Sequence, residues 1–376
     1  MIALFQLILL IKKENEIKLN NVKYIIFLFF IMYLFFNSFF LSKNLQVSTL
    51  SSLSFLRYLF LAIAIKFFFD LKKNQDNFFF IIKVALLTVC FDAIFQYFIG
   101  FNLLGFYNFE PSSSRVSGIF GNEKVLGGYL VRFFPFFLIS IIYYEKNNIF
   151  KIFYLLSFVF AVIIAGERSA LINLFISIIV LLFLFKYKNF NKIFNLKSFI
   201  FSLILLVILI LSLNSYTLER YYEGKSLFSK PGAIVSIEHD QHYLTALKIF
   251  DDNKLFGAGP NTFRYICSDI KYFSGPKSCS THPHNIFFQI LSELGLVGLL
   301  FYLILFFYIG LFFLKIFCNK LFKQNENKNY NNFKLLIILN IFLSFNPFIP
   351  SGNFFGSWMS SIGFFSLGFL FIKKFD

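Results

Sequence analysis

The sequence predicts an all-α polytopic transmembrane bundle of about 11 spans with one large hydrophilic loop, and three observations support it. Of 376 residues, 58% are hydrophobic and 63 are Phe, with a mean hydropathy of +0.72, more apolar surface than a soluble domain can hide in its own core. Runs of about twenty apolar residues recur, the length a helix needs to cross roughly 30 Å of hydrocarbon with its backbone hydrogen bonds satisfied internally. Nineteen Lys fall in alternate short segments, at 12–23, 72–73, 146–151, 186–197, 315–334 and 373–374. The positive-inside rule makes those segments cytoplasmic.

Along the chain, the apolar runs predict spans near 22–41, 53–70, 77–100, 125–143, 149–165, 169–186, 198–213, 285–317, 334–349 and 355–372. Residues 2–11 form a shorter candidate; Lys12 and Lys13 follow it without a small-residue cleavage site, so it reads as an incomplete or tilted first span and not as a signal peptide. Three regions result: N-terminal transmembrane helices over 1–213, a large outer loop with short helices over 214–283, and C-terminal transmembrane helices over 284–376. The loop carries eight basic and seven acidic residues. The net charge of +16 therefore reports topology and not a nucleic-acid partner. Within the loop, Tyr243, Leu244, Leu247 and Phe250 have helical periodicity, and Gly257, Gly259 and Pro260 form a turn. The helix would rest on the lipid surface or pack on the bundle.

Arginine is used differently from lysine. All six (Arg57, Arg115, Arg132, Arg168, Arg220, Arg264) lie on or near the outer face in this topology, where a planar fork can grip phosphate or carboxylate through two parallel hydrogen bonds. Arg115 begins the run Arg115-Val-Ser-Gly-Ile-Phe-Gly-Asn122, whose glycines let backbone approach a phosphate, or simply turn the chain back into the membrane. Glu167 and Arg168 precede Ser169 at a hairpin tip, where Arg168 adds charge to a helix N-terminus or pairs with Glu167.

The four histidines, His239, His242, His282 and His284, share the loop and hence one side of the membrane. In Ser280-Thr-His-Pro-His284-Asn285, Thr281 or His282 is a candidate helix cap with Pro283 in the first turn. His284 then stands at a helix start, where the dipole disfavours imidazolium and leaves the neutral ring a general base requires. The spacings suggest no familiar metal-ligand set, so no metal and no cofactor is expected. Gln289 and Glu293, one turn apart, continue the face of His284, and Gly295 and Gly298 most simply allow close helix packing. In mid-membrane, Asp92 and Gln96 share a face, either paired or lining a polar cavity. Cys267 and Cys279 share the outer loop and are expected to form a disulfide.

Together the Arg115–Asn122 run, Gly166-Glu-Arg168-Ser-Ala, Gly257-Ala-Gly-Pro260, and His284-Asn285 with nine residues before Gly295-Leu-Val-Gly298 resemble the O-antigen ligase and O-antigen polymerase superfamily over roughly 90–372. The resemblance implies a metal-independent, inverting glycosyltransferase of the bacterial inner membrane, multi-pass, with its active site facing the periplasm. Its donor would be a glycan on undecaprenyl diphosphate, and its acceptor a hydroxyl of lipid A core or another glycan. By the same resemblance His284 activates the acceptor and Arg168 and Arg115 hold the diphosphate, with Arg264 in the loop a further candidate for it; Asn285, Asn122 and Glu293 are candidate substrate-binding residues, Glu293 by orienting His284 or the acceptor. A polymerase joining lipid-linked repeat units is the alternative within the class, and a lipid-linked glycan transporter the alternative outside it.

Overall fold

The computed structural model describes residues 22–69, 72–106, 115–184, 213, 218, 237–322 and 328–370, and these are all-α in architecture. The helices are α1 (Val22–Phe40), α2 (Leu45–Phe69), α3 (Lys72–Ile99), α4 (Leu126–Tyr144), α5 (Asn148–Ile164), α6 (Arg168–Leu184), α7 (Ile237–Asp252), α8 (Phe263–Ile266), α9 (Ile286–Phe322), α10 (Lys328–Ser344) and α11 (Ser357–Leu370).

The expectation of about 11 spans is overturned. Among the described residues four helices are long and apolar enough to cross a membrane: Leu45–Phe69, Lys72–Ile99, Leu126–Tyr144 and Ile286–Cys318. Within the described residues the other predicted runs contain apolar helices of 17 residues or fewer, Leu28–Phe40 inside α1, Asn148–Ile164, Arg168–Leu181, Asn331–Ser344 and Trp358–Leu370. The longest of these has 17 residues and rises only about 26 Å at 1.5 Å per residue. Backbone breaks set the limits: Gly166, at φ +65°, ends one of these runs, and Pro347 follows the end of another at Ser344. The candidate at 2–11, and that at 198–213 apart from residue 213, lie outside the described residues. The protein is a multi-pass membrane protein with four candidate spans among the described residues.

The chain forms two compact units. The first contains Met1–Asp70, Lys230–Asn331 and Ser344–Lys374; the second contains Leu71–Ser229 and Asn332–Leu343, with Phe375–Asp376. In the first, α2 packs along α11, where Tyr58 stacks on Phe364 at 5.0 Å between ring centres. Gly368 makes that approach possible, since a Cβ there would stand 2.6 Å from the Ala62 carbonyl oxygen.

The decisive feature of this unit is a break in α9 at Gly295, which takes φ +63°, ψ −162°. A broken helix in an apolar setting leaves amide and carbonyl groups without partners, each costly to bury unpaired. The 254–259 segment supplies them. Leu296 N donates to Lys254 O (2.9 Å) and Val297 N to Leu255 O (3.1 Å), while Ser292 O and Glu293 O accept from Ala258 N (3.0 Å) and Gly259 N (2.9 Å). Tyr33 of α1 donates to Leu294 O and to Phe256 O, and Asn37 also donates to Phe256 O. Gly295 thus serves as a socket for the Gly257-Ala-Gly-Pro turn, which corrects the expectation of simple helix packing at that position.

Above this socket α7 closes a small core of Ala246, Ile249, Ala258, Phe263, Ile266, Cys267 and Tyr272, with Phe288 of α9 against it. Cys267 and Cys279 are joined by a disulfide with Cα atoms 5.0 Å apart. It closes the segment that leads from α8 to the start of α9.

In the second unit α3, α4, α5 and α6 pack together. Asp92 and Gln96 are buried and hold residues 103 and 117–118: Asp92 Oδ1 accepts from Leu103 N (2.8 Å), and Gln96 Oε1 accepts from Gly118 N (2.7 Å) and Ser117 N (3.2 Å). Asn102 Nδ2 donates to Gly118 O (2.7 Å). These bonds favour pairing over a water-filled cavity as the reading of Asp92.

Candidate active site

The first unit brings all four imidazoles together. His239 and His242 lie one turn apart on α7, so both project from one face. That face is fixed by Tyr243, which stacks on Phe288 with ring centres 4.4 Å apart and planes 13° apart. The ring of His284 is 4.2 Å from His282, 5.1 Å from His242 and 5.6 Å from His239.

His284 precedes α9 and adopts φ +57°, in the left-handed region. The helix cap is Asn285 and not Thr281 or His282: Asn285 Oδ1 accepts from Phe287 N (2.8 Å) and Phe288 N (3.3 Å), two of the amides that a helix start leaves open. Asn285 Nδ2 donates to Pro347 O (2.9 Å), Ser351 Oγ accepts from Ile286 N (3.0 Å), and Ser351 N donates to His284 O (2.8 Å). His282 is committed at both nitrogens, with Nδ1 2.9 Å from Thr281 Oγ1 and Nε2 3.3 Å from the Ser351 carbonyl, to which it donates. Asn285 is therefore occupied in shaping the loop that presents His284.

Burial, then the neighbouring imidazoles, push His284 down to about 3 from an ordinary value of 6.5. His282 falls to about 4, chiefly through burial, with Arg264 and the other rings adding to it against the Ser351 bond. His239 and His242 are lowered for the same leading reason. Each ring is neutral in the fold at neutral pH. Because the folded values lie below the unfolded ones, the unfolded chain binds more protons between them, and stability falls as pH drops from about 6.5 toward 4. The melting temperature and the amide protection of α7 are expected to decline together over that window. A flat profile from pH 7 to 5 would contradict the burial of the cluster.

Glu293, 1% exposed on α9, is fully engaged in the socket: its carboxylate accepts from Phe263 N (2.9 Å), Asn261 N (3.1 Å) and Gln289 Nε2 (3.0 Å). Gln289 Nε2 also donates to Asn353 Oδ1 (2.7 Å). Arg264 is exposed on α8.

In the second unit, Arg115 Nη2 donates to Lys124 O (3.1 Å), Nε donates to Ala165 O (3.4 Å), and the guanidinium pairs with Glu167 at 3.8 Å. Glu167 in turn accepts from Gly127 N (2.8 Å) and Gly128 N (2.9 Å), so its carboxylate caps α4. The hairpin pairing is thus Glu167 with Arg115 and the α4 amides. Arg168 is the first residue of α6, and Asn122 is exposed beyond the 118–120 turn. Sequence reasoning missed the capping role of Glu167. Its signal is the pair Gly127-Gly128, where a Cβ at Gly127 would meet Ala170 Cβ at 3.0 Å and Glu167 Cβ at 3.3 Å. It also missed the loop residues Ser351 and Asn353, which are distant in sequence from everything they brace.

Among the described residues, no group of three or more His, Cys, Asp or Glu is arranged to hold a metal ion. Residues 152–303 match the family model described as O-antigen ligase. Over this segment the chain is similar to the O-antigen ligase family. The O-antigen ligase match takes in Arg168, Arg264, the disulfide, the four histidines and the Gly295 break, and leaves Arg115 and Asn122 outside it. None of the curated proteins matches the chain.

Proposed function

We propose that this protein, similar to the O-antigen ligase family over residues 152–303, is a periplasm-facing glycosyltransferase that moves a glycan from undecaprenyl diphosphate to an acceptor hydroxyl, with lipid A core as the acceptor. The observation that carries this reading is the convergence of three imidazoles on His284, whose ring is kept neutral chiefly by its burial where the chain enters α9. A neutral imidazole can take the hydroxyl proton as the oxygen attacks the anomeric carbon, inverting it. When the diphosphate is the leaving group its negative charge grows, and guanidinium groups are the side chains suited to hold it. Arg168 and Arg115 are assigned that role, with Arg264, Asn122, Asn285 and Glu293 as supporting contacts to glycan or loop.

The anionic donor also assists the base. Negative charge close to an imidazole raises its pKa, so a ring that is a poor base in the empty protein becomes a better one when the donor is bound. The test is full-length protein in nanodiscs, a defined undecaprenyl-diphosphate glycan, and either lipid A core or a second lipid-linked repeat as acceptor, with and without chelator. Transfer to lipid A core that survives chelator supports the reading. Transfer only between lipid-linked repeats points to a polymerase, and no transfer to either acceptor overturns the proposal.

A further inference from the structure

The side chain of His242 is 7% exposed, and its Nδ1 has no hydrogen-bond partner among the described residues. A buried polar atom left unpaired costs about 1–3 kcal/mol, and such an atom in a native structure calls for an explanation, a catalytic role among them. The ring next to it is His284, with centres 5.1 Å apart and planes tilted by 35°. A nitrogen-to-nitrogen hydrogen bond of about 3 Å between two imidazoles places their centres roughly 5 Å apart, which is the separation of these two rings.

The other two rings are less suited. His282 stands closer, but both of its nitrogens are taken by Thr281 and the Ser351 carbonyl. His239 lies farther off at 5.6 Å and is half-buried, under the influence of the Glu238 and Asp240 carboxylates. Around His242 the charged and titratable groups are His239 and Glu238 on its own helix, Lys277 from the disulfide-bonded segment, His282 and His284. Stacking of Tyr243 on Phe288 keeps α7 from drifting off α9, so the distance between the rings is held by packing.

We propose that His242 is the proton-accepting partner of His284, completing a two-imidazole relay for the transfer reaction; the assignment rests on the glycosyltransferase reading above. As the acceptor O–H bond breaks, an N–H bond forms on one nitrogen of His284. The proton on the opposite nitrogen of His284 passes to His242 Nδ1. The acceptor oxygen uses its electron pair to form the new glycosidic bond, and the bond from the anomeric carbon to the diphosphate oxygen breaks, its pair leaving with the diphosphate. His284 is then neutral again and His242 carries the proton until water removes it. His242 is thus a positioning and relay residue, fixing which nitrogen of His284 faces the acceptor.

The test uses the full chain in nanodiscs. His242→Ala is expected to lower kcat by about 10²–10⁴-fold with the acceptor KM little changed. Added imidazole should restore at least tenfold of the loss, whereas pyrrole, which fills the same space without a basic nitrogen, should not. His242→Gln keeps the volume and should lose as much as the Ala variant, so the test remains decisive if the latter does not fold. Equal rescue by pyrrole, or parental kcat in His242→Gln, overturns the relay. A second readout is independent of transfer: 15N titration of the histidine rings in the parent and in His284→Asn. Coupled titration of His242 and His284, released in the variant, supports the pair even if the parent transfers no glycan, in which case the proposed function falls alone. A His242 titration identical in both proteins overturns the relay whatever the reaction is.

Discussion

Replacing His284 with Asn is expected to leave the protein folded and inserted while lowering glycan transfer by about 10²–10⁴-fold, the range a general base contributes. Asn is chosen because the residue sits at φ +57°, and Asn tolerates the left-handed region better than most residues with a Cβ. The backbone bonds at the site, Ser351 N to His284 O and Phe287 N to Asn285 Oδ1, do not involve the imidazole and should survive the change. Loss of transfer at an unchanged melting temperature therefore isolates proton chemistry from folding. Transfer within threefold of the parent would remove His284 from the mechanism.

The second large effect concerns stability. Gly257→Ala is expected to destabilise the first unit by about 3 kcal/mol or more, because two independent costs coincide. The residue takes φ +74°, and a Cβ there would fall 2.4 Å from Glu293 C and Leu294 N, backbone atoms that cannot swing away. Relief requires drawing the 254–259 segment out of the break in α9, which strands Ser292 O, Glu293 O, Leu296 N and Val297 N together. The measurement is the melting temperature in detergent, with amide exchange at Ala258 and Gly259 reporting the socket directly. Unchanged protection at those two amides would show that the socket does not hold the loop.

The two expectations meet at α9. The helix is capped by Asn285, carries Glu293 to anchor residues 261–263, and is broken at Gly295 to receive 254–259. The His284-Asn285 to Gly295-x-x-Gly298 spacing is therefore one device: its first end presents the imidazole and its second fastens the segment that brings α7 over it. Glu293, expected to contact substrate, has its oxygens occupied by this fastening.

Much was legible because it depends on residue type alone. Apolar content requires helices in lipid, and four histidines confined to one hydrophilic stretch can meet at one site, as they do. Composition could not fix helix length, and so the number of spans was overestimated: among the described residues only four helices are long and apolar enough to cross a membrane. Nor could spacing pair Glu167 with Gly127 and Gly128 or Arg115, or say that His242 would face His284 across 42 residues of chain. A backbone amide in hydrocarbon takes whichever acceptor the fold brings near it, and that choice is made by long-range packing, to which no local window of sequence has access.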